Sequence, residues 1–129
     1  MAEGSGVTDD LEDLRRRIDL LDEHLVRLLN ARAACALEIG RLKRQLGMEI
    51  YQPAREFEVL THVASVNTGP LDTPALRRLF ERIIDEARRL ERLADEARTA
   101  ADSVEAAVRD VDRVADDAAL LKAPDEGIE

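Results

Sequence analysis

The chain has 129 residues, a formal net charge of -9, 36% charged residues, 2% aromatic residues and no Trp. That length holds one modest domain with room for an appendage, and the Leu-, Ala-, Arg-, Asp- and Glu-rich composition fits an all-helical protein. An acidic total without a basic patch speaks against nucleic acid as a partner. No run is long and apolar enough to span a membrane, and the single Cys35 excludes an intramolecular disulfide.

The lone cysteine suits a reducing compartment, and the opening MAEGSGVTDD does not read as a signal peptide, so a cytoplasmic protein without membrane contact is expected. The charge is unevenly spread. Residues 1–10 carry -3, residues 11–91 hold 14 basic and 14 acidic residues, and residues 92–129 hold 5 basic and 11 acidic residues. The acidity therefore belongs to the two ends.

From Leu11 onward apolar residues recur at 3-4 spacing: Leu11, Leu14, Ile18, Leu21, Leu25, Leu28, then Cys35, Ile39, Leu42 and Leu46. This predicts one long helix with a packing seam. It is expected to start near Thr8–Asp10, which can cap free N–H groups, and to stop at Gly47. Residues 1–10 are expected to be flexible. Some 36 helical residues reach roughly 54 Å, whereas a compact domain of about 80 residues is only roughly 25 Å across. Such a helix cannot bury its seam on its own chain, and a second copy is the simplest remedy. Arg32 stands in the seam where the series calls for an apolar residue. A guanidinium there is costly unless something anionic meets it. Lys43, eleven residues on, falls on nearly the same face.

Met48–Gln52 reads as a connector. Pro53 suits the first turn of a second helix over about Pro53–Val66, and Asn67-Thr68-Gly69-Pro70 reads as a turn. A third helix starts at Asp72-Thr73-Pro74, with Asp72 or Thr73 as cap, and meets no Gly or Pro until Pro124. Past residue 91 its 3-4 register persists, but Ala and Val replace Leu and Ile. Residues 11–91 are thus expected to form the domain, 92–122 an acidic helical extension, and 123–129 a disordered tail. Cys35 is expected to be a small core residue, and His24 and His62 surface residues without metal spacing.

Taken together, Leu14-Arg15-x-x-Ile18-Asp19-x-x-Asp22, Leu28-Leu29-Asn30-x-Arg32, Glu38-Ile39-Gly40-x-x-Lys43, Arg55-Glu56, Asn67-x-Gly69-Pro70-Leu71 and Phe80-x-x-Ile83-Ile84, ending at Glu91, form an ordered series. The series resembles the all-helical chorismate mutase family over residues 11–91. The resemblance implies an all-α fold: a three-helix chain with a long first helix in an intertwined helical homodimer, here with a C-terminal helical extension. It implies conversion of chorismate to prephenate, a [3,3] rearrangement in aromatic amino acid biosynthesis that uses no metal or organic cofactor. Chorismate carries two carboxylates, a ring hydroxyl and an enolpyruvyl ether. The enzyme must hold a chair-like conformer and stabilise charge growing on the ether oxygen.

By resemblance, Arg32 and Arg55 bind carboxylate, Lys43 contacts the ether oxygen, and Glu56 accepts a hydrogen bond from the ring hydroxyl. Arg15 aligns with an arginine that the family donates from the partner chain. It stands 17 residues from Arg32, roughly 25 Å along one helix, so the two cannot share a small ligand within one chain. Gln52 stands where many members have Asp, whose backbone N–H assists at the ring hydroxyl. Ala87 stands where some members use Ser against a carboxylate. Glu91 continues the face of Phe80, Ile84 and Ala87, at a place where the family donates a hydrogen bond to the ether oxygen. A carboxylate cannot donate and a carboxylic acid can, so Glu91 is expected to work protonated. The plainer reading of Glu91 is an exposed acid pairing with Arg88.

Three alternatives remain beside the mutase. Isochorismate pyruvate lyase and aminodeoxychorismate mutase are other reactions on this scaffold. The third is a non-catalytic regulatory module that binds a shikimate-pathway enzyme through the acidic C-terminal helix.

Overall fold

The computed structural model describes residues 2–121, which form three helices: α1 (Ala2–Leu46), α2 (Pro53–Val66) and α3 (Thr73–Leu121). The expected tail 123–129 lies outside the described residues. The chain divides into two compact units, residues 1–91 and 92–129.

α1 starts earlier than expected, so the stretch expected to be flexible is helical from Ala2. Thr8 is not its cap. The Thr8 hydroxyl donates to the carbonyl of Gly4 at 2.9 Å, one turn back inside the helix, a bond by which Thr sits within a helix rather than at its start. The other end is as expected: Gly47 adopts φ 67°, the left-handed conformation in which glycine ends helices without strain.

α2 begins at Pro53, with the carbonyl of Gln52 accepting from the backbone N–H groups of Arg55 and Glu56 at 3.1 and 3.2 Å. α3 is capped by Asp72, whose Oδ1 accepts from the Ala75 N–H at 2.7 Å. Between them Asn67 organises the turn, donating to the Leu71 carbonyl at 2.9 Å and accepting from the Gly69 N–H at 3.0 Å.

The first unit buries little by itself. Ala36, Val63 and Ile84 are its buried apolar residues. Leu11, Leu14, Ile18, Leu21, Leu25 and Leu28, the first half of the α1 seam, are all exposed. In the second unit Val104, Val108, Val111 and Val114 are exposed as well.

Candidate active site

Inside the first unit an open cavity of about 550 Å³ lies among the second half of α1, the connector, the start of α2 and α3. α1 contributes Arg32 and Lys43, α2 contributes Arg55 and Glu56, and α3 contributes Ala87 and Glu91. Gln52 lies at the rim, at the cap position of α2. The site residues singled out in the sequence thus line one cavity, apart from Arg15. Arg15 is exposed and pairs with Glu12 at 2.9 Å one turn back.

Lys43 and Glu91 form the floor. Lys43 Nζ donates to the Ile50 carbonyl at 3.3 Å and stands 3.6 Å from Glu91 Oε2. Both side chains are largely enclosed, 16% and 8% exposed. Glu91 is therefore not the exposed acid of the plainer reading. Its Oε2 is buried and has no hydrogen-bond partner. A buried polar atom left unmatched costs free energy that an incoming group can recover.

Gly40 explains how Glu91 fits beside α1. A Cβ on Gly40 would lie 3.2 Å from Glu91 Cγ and 3.6 Å from Oε2. Gly40→Ala should therefore displace the Glu91 side chain by a few tenths of an ångström while favouring the helix by about 1 kcal/mol. We expect turnover to fall by roughly tenfold while the thermal midpoint does not fall. Paired loss of both would contradict this.

The two arginines differ. Arg32 is half-buried, and among the described residues no ion pair involves it. The residue lines the cavity. Arg55 lies at the cavity mouth, 69% exposed, and pairs with Glu58 at 3.1 Å. A surface pair of this kind contributes little and yields readily to an anionic ligand. Cys35 is exposed and lines the cavity, not the core. The α1 seam at this point faces a cavity instead of packed side chains.

Sequence reasoning gave Arg88 no role at the site. It lines the cavity and pairs with Glu56 at 3.5 Å and with Asp85. A signal was present: Ile84, Ala87, Arg88 and Glu91 follow the i, i+3, i+4, i+7 spacing of one helical face.

Fold and cavity together define an all-helical protein with an open pocket that sets several cations around one buried acid. Residues 14–92 match the type II chorismate mutase family, and the chain belongs to that family. It is 43% identical over 88 residues to the bifunctional chorismate mutase/prephenate dehydratase of Pseudomonas aeruginosa, covering 64% of this chain and 24% of that one. It is 35% identical over 89 residues to the 4-amino-4-deoxychorismate mutase of Streptomyces pristinaespiralis, covering 67% and 68%. Among solved structures it resembles the chorismate mutase of Thermus thermophilus (form II), with TM-score 0.63 and 35% identity over 64% of this chain and 93% of that one. It also resembles the Helicobacter pylori chorismate mutase in complex with prephenate, with TM-score 0.62 and 31% identity over 67% and 93%. The chain spans about a quarter of the length of the bifunctional relatives it matches.

Proposed function

We propose that this chain converts chorismate to prephenate. The observation that carries the reading is the enclosed Lys43–Glu91 pair facing a cavity lined by Arg32 and Arg55. Arg32 and Arg55 bind the substrate carboxylates, for which the planar guanidinium fork is suited. Glu56 accepts from the ring hydroxyl, assisted by the backbone N–H of Gln52. Lys43 stabilises charge on the ether oxygen, and Glu91 donates to the same oxygen from its acid form. Ala87 leaves room in the wall without adding a hydrogen bond. The reaction needs no nucleophile, metal or organic cofactor. Positioning and fixed charge are sufficient for a rearrangement within one molecule.

The active form in this reading is a homodimer. Burying the exposed leucines of α1 against a second copy stabilises the pair by about 1 kcal/mol or more for each, and the partner's Arg15 then reaches the cavity. The acidic helix of residues 92–121, with its exposed valines, is read as a docking element for a protein partner. The cytoplasm suits the free Cys35.

The test is loss of chorismate absorbance with purified protein, with prephenate identified by its acid conversion to phenylpyruvate. The similarity to a 4-amino-4-deoxychorismate mutase supports a second reading, in which the amino analogue is the substrate. Assaying both compounds separates the two, and turnover of neither overturns the proposal.

The role of Glu91 sets the direction of a substitution test. A carboxamide keeps a donor for the ether oxygen, whereas a methyl group offers none. Glu91→Gln should therefore retain turnover that Glu91→Ala loses by about 10²-fold or more. Equal losses in the two variants would remove Glu91 from this role.

A further inference from the structure

Arg88 departs from four other arginines of α3. Arg82, Arg89, Arg109 and Arg113 pair with acids one turn away on their own helix and remain 66–75% exposed. Arg88 also pairs within its helix, with Asp85, but it is only 22% exposed and reaches beyond α3. Its guanidinium carbon lies 5.0 Å from the centre of the Tyr51 ring in the connector, within cation–π range. One of its nitrogens lies 3.5 Å from Glu56 Oε2 at the start of α2. The ring and the two carboxylates hold the cation at the cavity wall.

Glu56 is assigned above to the substrate's ring hydroxyl, and the role of Arg88 rests on that assignment. A carboxylate with no cationic neighbour attracts an ammonium more strongly than a hydroxyl, because the charge pair adds to the hydrogen bond. In 4-amino-4-deoxychorismate an aliphatic amine, protonated at neutral pH, replaces that hydroxyl. Arg88 reverses the preference. Its charge already neutralises Glu56 and repels a second cation placed beside it. Glu56 still has lone pairs free to accept from a neutral hydroxyl. We propose that Arg88 is a specificity-determining residue, selecting a neutral hydroxyl over an ammonium at the ring position that Glu56 meets. It acts through Glu56 and by repulsion of the wrong substrate, a mode of selection that does not depend on tighter binding of the right one.

The experiment compares chorismate and 4-amino-4-deoxychorismate as substrates of wild type, Arg88→Gln, Arg88→Met and Arg88→Lys. Where the amine is not turned over, its inhibition constant against chorismate is read instead. Arg88→Gln should move the ratio of the two kcat/KM values, or of the affinities, toward the amine by about tenfold or more. Arg88→Met keeps an apolar stem against Tyr51 and should do the same, which guards against a poorly folded Gln variant. Arg88→Lys keeps the charge and should keep the wild-type ratio. A merely structural Arg88 would lower both substrates alike, and an unchanged ratio in the Gln and Met variants overturns the proposal. Glu56→Gln separates the two layers. If it leaves chorismate turnover intact, the reading of Glu56 fails and the proposal with it. If it impairs chorismate turnover while the Arg88 ratio stays fixed, the proposal fails alone.

Discussion

Lys43→Ala should lower kcat for chorismate by about 10²–10³-fold, the usual cost of removing one donor aimed at developing charge. The effect falls on kcat because the ether oxygen gains its charge only as the bond breaks. Carboxylate binding through Arg32 and Arg55 is untouched, so KM should change far less. The geometry adds a second consequence. Lys43 is the cation 3.6 Å from a Glu91 carboxyl that is 8% exposed. Removing the ammonium leaves the enclosed Glu91 carboxyl and the Ile50 carbonyl without their donor neighbour, and the variant should lose about 1–3 kcal/mol of stability.

That dual effect would confuse a simple assay, and Lys43→Met resolves it. Methionine keeps an apolar stem in the enclosure, so part of the stability should return. The rate should not return, because no ammonium faces the ether oxygen. Thermal denaturation read beside kcat separates the two. A Met variant that recovers both would mean that Lys43 serves only to fill its place in the wall.

Much of this site was legible because helices turn residue spacing into faces. The Arg32 break in the seam, the Lys43 position three turns on and the inward face of Glu91 all follow from one period, and each lines the cavity. Pro53, Asp72 and Gly47 mark helix ends through local chemistry, and the elements start or stop beside them. What escaped depended on contacts between helices. The nearness of Lys43 to Glu91 was legible only through the resemblance, which sends both to the ether oxygen, since spacing cannot join residues so far apart in sequence. Gly40 stood in the series with no role of its own, because its purpose is the closeness of α3, which spacing along α1 does not reveal. Arg88 shares the helical face of Ile84, Ala87 and Glu91, but the contacts with Tyr51 and Glu56 that hold it join separate elements. The start of α1 was misplaced because Thr8 is as good a cap as it is an interior residue, and the structure uses it as the latter.

Mixing two inactive variants should restore activity. Arg15 and Arg32 lie on one helix, and only Arg32 lines the cavity of its own chain. If each site takes Arg32 from one chain and Arg15 from its partner, Arg15→Ala and Arg32→Ala should each abolish most turnover as pure homodimers. A mixed dimer is different. The pocket of its Arg15→Ala chain keeps Arg32 and receives an intact Arg15 from the other chain, whereas the opposite pocket lacks both. Random exchange of equal amounts makes half the dimers mixed, so about a quarter of the sites should be whole, with close to that fraction of wild-type activity. The exchange requires unfolding and refolding the two variants together, since a seam of leucines is slow to part, and each variant refolded alone serves as the control. Arg15 acting within its own chain would leave every site of the mixture missing one arginine. No activity would then return. A surface role for Arg15, in keeping with its pair to Glu12, would leave Arg15→Ala active from the outset. The three outcomes differ in kind, so the mixture reports both the dimer and the origin of the arginine in one assay.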